Sequence, residues 1–291
     1  MAMDLQGISA AATVAIACAI VFLLAARTWQ LLNRYLMAHS RFPDSITYEA
    51  AQRFRDQLSD LSRTQSAYLG AGLVFIVIYI AWATLQGPNL FDGYPDWQLY
   101  VLLAALGAAA LFAAWRLTRS FMAWREVRYT RDAVTAIGHE LQRIGPDSGR
   151  AYHDVPTAGG TIDHVLIGRR GVYAINVIAI RAPKGGQARL RDGQVQFSTG
   201  VPAIHTARFV KANRQLEKQL SKQAGRNIQV RSVVAVPGWN VQSQEDANHL
   251  LATERTLPMI RGWQTAEDHL MNEEAAELQA LLTQRCRRNR R

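Results

Sequence analysis

Residues 162–180 read IDHVLIGRRGVYAINVIAI. Two apolar runs flank Arg169-Arg170-Gly171. Runs rich in Val, Ile and Tyr on either side of a Gly-containing turn predict two strands, Thr161 to Gly168 and Val172 to Ile180. The first opens on an acid-base pair, Asp163-His164, and the second carries no charge. Side chains alternate faces along a strand, so Asp163 and His164 point opposite ways. One face of the second strand is Val172, Ala174, Asn176, Ile178 and Ile180; the other is Tyr173, Ile175, Val177 and Ala179. Both are neutral, the pattern of a strand covered on both sides.

The flanks extend this core into a domain. A short strand, Ala151 to Val155, precedes the pair. A basic turn, RAPKGGQ, follows, then a hairpin of Ala188 to Leu190 and Gln194 to Ser198 around Asp192-Gly193. Ala203 to Lys222 reads as an amphipathic helix. Ile204, Phe209, Leu216 and Leu220 face inward, and Arg208, Lys211, Arg214, Lys218 and Lys222 outward. Ile228 to Val236 is expected as a buried strand and Thr265 to Gln284 as a last helix. Upstream, Val134, Ile137, Leu141 and Ile144 repeat at helical spacing until Gly145-Pro146-Asp147-Ser148-Gly149 ends the run. Helix, strand cluster, helix, strand and helix predict a layered α/β domain with a mixed sheet.

Charged residues are 19% of the 291, against about 25% for a typical soluble domain. The deficit is concentrated near the N-terminus. Leu5 to Ala26, Thr64 to Phe91 and Trp97 to Trp115 are free of charge. Each is long enough for a transmembrane helix, which needs about 20 apolar residues with a lower limit near 17. Three spans are therefore expected within residues 1–115. Arg27, Arg34, Arg41, Arg53, Arg55 and Arg63 lie between the first two spans, in an amphipathic loop over 27–66; none lies between the second and third. Basic loops stay in the cytoplasm, so the N-terminus should face outward and residues 116–291 inward, at the inner membrane. The start, MAMDLQG, has an acid and no Lys or Arg, unlike the positive beginning of a cleaved signal peptide. Within the loop, Ala50, Phe54, Leu58 and Leu61 share one face of a helix after Pro43, with Asp44 or Ser45 as its cap. That helix is expected to pack near the membrane and to carry no chemistry.

Net charge is +10, and from Arg116 onward it is +11. The cytoplasmic part thus holds all of the excess. Nucleic-acid phosphates and the anionic inner leaflet are the two partners such a surface suits. The tail 285–291, with Arg285, Arg287, Arg288, Arg290 and Arg291, could touch either. Cys18 falls in the first span and Cys286 in the tail, so neither a disulfide nor a cysteine metal site is expected.

The run IDHVLIGRRGVYAI, the acid-bearing helix TRDAVTAIGHELQRI before it, and KGGQARLRDGQVQF, FVKANRQLEKQL and VRSVVAVP after it resemble the NERD domain (nuclease-related domain). This is a branch of the restriction-endonuclease-like PD-(D/E)xK fold, and the resemblance covers about Thr130 to Pro237. It implies a Glu-x-Lys on the strand after Gly-Val-Tyr. Residues two apart on a strand share a face, so that Glu would join an Asp of the neighbouring strand in holding Mg²⁺ or Mn²⁺, and the Lys would stabilise charge. Asp163 matches the Asp and is the one metal-ligand candidate; the Glu position is Asn176 and the Lys position Ile178. Asp132 could line the same site or sit on the helix surface. Lys184 could be a migrated lysine or a solvated loop cation. His164, on the other face, is expected as a packed, hydrogen-bonded histidine.

Three readings follow. The first is a catalytically degenerate domain that binds nucleic acid through Arg208, Lys211, Arg214, Lys218 and Lys222 and needs no cofactor. The second is an active Mg²⁺- or Mn²⁺-dependent nuclease with a site rebuilt from Asp163, Asp132, Asn176 and Lys184. The third is a non-enzymatic scaffold binding anionic lipid or an unidentified protein partner.

Overall fold

The structure is a computed structural model that describes residues 5–37, 47–85, 95–198, 200–244, 248–263 and 269–286. Three long helices come first: α1 (Leu5–Met37), α2 (Gln52–Leu85) and α3 (Asp96–Ser148). Contacts divide the chain into two units. One contains Met1–Arg41 and Gln57–Glu126; the other contains Phe42–Asp56 and Val127–Arg290.

Two helices among the described residues are long and apolar enough to cross a membrane, over Ala12–Leu32 in the first unit and over Gln52–Ala81, of which the part up to Asp56 belongs to the second. Only 11% of each apolar window is buried within the chain, unlike the core helix of a soluble protein. Val21, Leu24 and Leu31 of α1 and Leu73, Ile76 and Ile80 of α2 are exposed. The expected third span, Trp97 to Trp115, opens α3 but does not qualify among the described residues. Its hydropathy rests on Leu99, Leu102, Leu103 and Leu106, whose side chains lie outside them, and much of the remainder is alanine. The expected caps Asp44 and Ser45, and Pro43, also lie outside the described residues.

The second unit is the α/β domain. Its strands are β1 (Arg150–Thr157), β2 (Gly160–Gly168), β3 (Gly171–Val177), β4 (Gln187–Arg191), β5 (Gln194–Phe197), β6 (Ile204–His205), β7 (Val230–Ala235), β8 (Asn240–Gln244) and β9 (His249–Ala252). Helix α4 (Ala207–Ala224) precedes β7. A 3-10 turn (Leu257–Gly262) and α5 (Asn272–Arg285) close the chain. Among the described residues there are two sheets where one was expected. The larger is ordered β1-β2-β3-β7-β9, the smaller β6-β5-β4-β8. In the larger, β1, β2 and β3 are antiparallel neighbours, while β3–β7 and β7–β9 are parallel.

The quoted stretch forms the β2–β3 hairpin. All seven residues of β3 are buried, as its uninterrupted neutral sequence requires. Val172 and Ala174 pack with α4 and α5; Tyr173, Ile175 and Val177 pack against Val134, Ile137, Leu141 and Ile144 of α3. Gly149 makes the turn from α3 into β1 at φ 127°, where a Cβ would stand 2.1 Å from the Ile167 carbonyl oxygen. On α4, Phe209, Ala212, Leu216 and Leu220 form the buried stripe. The helix starts at Ala207, not Ala203, because Ile204 pairs with Val195 as β6. Gly225, in the left-handed region, ends it. Of the last helix expected from Thr265, residues 265–268 lie outside the described ones; the described helix starts at Asn272, and the Met271 amide before it donates to Glu274 Oε2 at 2.9 Å.

Residues 47–56 act as a strap on this domain. The Tyr48 amide donates to the Cys286 carbonyl at 2.9 Å. Ala51 is buried in the core beneath α3 and Phe54 packs against it. At Gly138 of α3 an added Cβ would lie 2.7 Å from Ala50 Cβ, so the strap and α3 meet where no larger side chain fits.

Candidate functional site

The site predicted from the resemblance sits at the open end of the β2–β3 pair. The last register partners are His164 and Ile175, so Asp163 stands opposite Asn176 just beyond. Asp163 is 5% exposed. Its Oδ2 accepts the Val177 backbone N–H at 2.7 Å, tying β3 to β2 where the ladder stops. Its Oδ1 accepts a hydrogen bond from the guanidinium of Arg53.

Arg53 belongs to the strap, and sequence reading gave that segment no chemical role. The side chain lies between two carboxylates. Its Nε is 3.5 Å from Asp154 Oδ1, and its backbone N–H donates to Asp154 Oδ2 at 3.1 Å. Asp154 lies on β1 between the register pairs His153–His164 and Val155–Ile162, directly beside Asp163. It is buried and adopts φ 49°, a left-handed conformation that acids tolerate better than branched residues. Burial pushes both carboxyl pKa values up, and Arg53 works against the rise at each. Arg208 of α4 adds a weaker pull on Asp163.

The other predicted positions do not complete a metal site. The Asn176 amide donates to Asn213 Oδ1 of α4 at 3.4 Å, and Asn213 donates to Ser232 Oγ at 2.9 Å. All three are buried. Ile178 is buried among Leu190, Val234 and Trp239. Asp132 is exposed on α3 and pairs with Arg131, and Lys184 is exposed in the turn after β3. Neither is among the groups that hydrogen-bond to Asp163 or shift its pKa.

His164 faces α3, as alternation requires. Its Nε2 donates to the Val134 carbonyl at 3.0 Å, which leaves Nδ1 to accept from His153 Nδ1 at 2.7 Å. Burial pushes both imidazoles down, His153 to about 4. The pair is neutral and packed, a structural histidine site as expected.

On α4, Arg208, Lys211, Arg214, Lys218 and Lys222 are all exposed. The β1–β2 turn lies against this helix. At Gly159 an added Cβ would be 2.6 Å from the Lys211 carbonyl oxygen.

With this geometry in view, residues 131–237 match the family NERD, the nuclease-related domain. No curated protein and no solved structure matches the chain. The matched span covers β1 to β7 and α4, and leaves out the strap, β8, β9 and α5. A divalent cation, which the resemblance implies, does not fit the residues present. Both Asp163 oxygens are engaged, the Asn176 amide is committed to Asn213, and Ile178 offers no charge. Among the described residues, no group of three or more His, Cys, Asp or Glu is placed to hold a metal ion.

Two residues of the site escaped sequence reading, Asp154 and Arg53. A signal was present for Arg53. A site that keeps a buried acid and loses its lysine must find a cation elsewhere, and the arginines of residues 53–63 were available.

Proposed function

We propose that this chain is a membrane-anchored nuclease-related protein whose domain has lost cleavage chemistry and holds nucleic acid through the outer face of α4. The observation that carries the reading is the closure of Asp163 by Arg53 and the Val177 amide, with neutral, buried residues at the Glu and Lys positions. The five exposed cations of α4 and the +11 charge from Arg116 onward support a polyanionic partner. A rebuilt metal nuclease is disfavoured because Asp132 and Lys184 stand in solvent while Asp163 is buried.

The anchoring has its own support. Residues 47–51 lie between the two candidate spans and, with the start of α2 as far as Asp56, pack in one unit with Val127–Arg290. Both must be on one side of any membrane. If α2 crosses, the chain has to cross back before Val127, and Trp97 to Trp115 is the charge-free stretch that can do it. This parity restores the third span as part of the proposal. The basic residues of the first loop support a cytoplasmic domain and an outward N-terminus.

The test uses the full chain in detergent micelles with labelled single- and double-stranded DNA and RNA, with Mg²⁺ or Mn²⁺. Binding without cleavage is expected. If most of the five cations contact phosphates, affinity should fall roughly a hundredfold or more between 50 and 200 mM salt. Metal-dependent cleavage that disappears in Asp163→Ala would overturn the reading. The same cations suit an anionic membrane surface. Binding to phosphatidylserine vesicles without nucleic-acid binding would establish the lipid alternative instead.

A further inference from the structure

We propose that Arg53 takes the place of the metal, so that the site is a fixed ion-pair centre that binds the N-terminal strap to the domain and has no divalent-cation requirement. The inference rests on the non-catalytic reading of Asp163 and goes beyond it, because it assigns the site a present task.

A nuclease-like site needs a cation to make adjacent buried carboxylates tolerable. Here Asp154 and Asp163 are 6% and 5% exposed and stand side by side on β1 and β2. Two unneutralised acids at such a place would repel each other in a poorly solvated setting. Arg53 supplies the charge. One guanidinium nitrogen meets Asp163 Oδ1, Nε faces Asp154 Oδ1, and the backbone amide of the same residue serves Asp154 Oδ2. Asp154 Oδ1 is buried and receives no hydrogen bond, so that oxygen is faced by the Arg53 guanidinium through charge alone. A guanidinium differs from a metal ion in one decisive respect: it is covalently attached. Its position is fixed by the Tyr48–Cys286 backbone bond, the burial of Ala51 and the close contact of Ala50 with Gly138. Removing the strap removes the cation. The folding unit is therefore larger than the family match and includes residues 47–56.

Thermal unfolding of the full chain in micelles, followed by tryptophan fluorescence, tests this. The midpoint of the wild type should be the same in EDTA, Mg²⁺ and Mn²⁺. Arg53→Met should lower it by about 10 °C, the scale expected for a buried carboxylate pair left without its counter-ion. Millimolar guanidinium should recover part of that loss. Arg53→Met combined with Asp163→Asn should lose less than the sum of the single variants. If Arg53→Met does not fold, Arg53→Lys keeps the charge and should fold with a smaller loss. Additive losses, an Arg53→Met midpoint equal to wild type, or a wild-type rise in Mn²⁺ that vanishes in Asp163→Asn would each overturn the proposal. Failure of nucleic-acid binding alone would overturn the α4 reading and leave this one intact.

Discussion

Asp163 and His164 are neighbours in sequence, and the sheet sends them to opposite faces with opposite solutions to the same problem. Each is a titratable group out of water. Asp163 is met by a guanidinium and a backbone amide, which work against the rise in its pKa that burial causes. His164 gives up its charge and is held by a carbonyl on one nitrogen and a neutral imidazole on the other. The difference lies in what each face offers. The strap brings a cation to one side; α3 brings apolar residues, the Val134 carbonyl and His139 to the other. Burial thus selects pairing where a counter-charge is attached and neutrality where it is not.

Among substitutions, breaking the charged side should cost the most. Asp163→Ala leaves Arg53 with one acid and the Val177 amide unpaired. Arg53 keeps Asp154 and its side chain is 35% exposed, so the loss should be about 2 kcal/mol, read from denaturant midpoints of the full chain in micelles. An effect below about 1 kcal/mol would mean that solvent reaches the site. Challenging the neutral side needs only acid. His153 binds a proton near pH 6.5 when unfolded and near 4 when folded, so the unfolded state holds more protons between those values. Stability should therefore fall as pH drops from 6.5 to 4, by about 3 kcal/mol from His153 alone. The slope should flatten in His153→Gln, which keeps a donor for His164 and does not titrate. The smallest effect on stability is expected outside both faces. Lys211→Glu with Lys218→Glu should change it by about 0.5 kcal/mol or less, since both are exposed, while weakening polyanion binding at least tenfold in the same preparation. A large stability change there would make α4 structural, in contrast to both buried sites.

How far the sequence could be read follows from the same contrast. Features with a local period were visible: the α3 stripe of Val134, Ile137, Leu141 and Ile144, the neutral faces of β3, the Asp192-Gly193 turn, and the opposed directions of Asp163 and His164. Each depends on spacing within one element. The neutrality of Asn176 and Ile178 was equally visible, because the hairpin fixes which positions face Asp163. Arg53 was hidden because its partners lie about a hundred residues away and no periodicity links them. Asp154 was hidden because its role depends on a left-handed backbone between two ordinary register pairs. The second sheet was missed in part for a simpler reason. β6 has 2 residues and β8 has 5, too few to alternate recognisably, and Ile204 fitted a helical stripe as well as a strand.

The strap also bears on the order in which the domain can be completed. Tyr48 and Arg53 leave the ribosome early, while the partners that hold them, Asp154, Asp163 and finally Cys286, come much later. Such pairing is a contact of high sequence separation, which forms slowly and leaves unpaired surface exposed until it closes. A nascent chain would carry an unneutralised acid pair at one sheet edge until the strap docks. Quality-control proteases that recognise incompletely closed chains would thus have a defined interval in which to act, ending when Arg53 reaches the sheet.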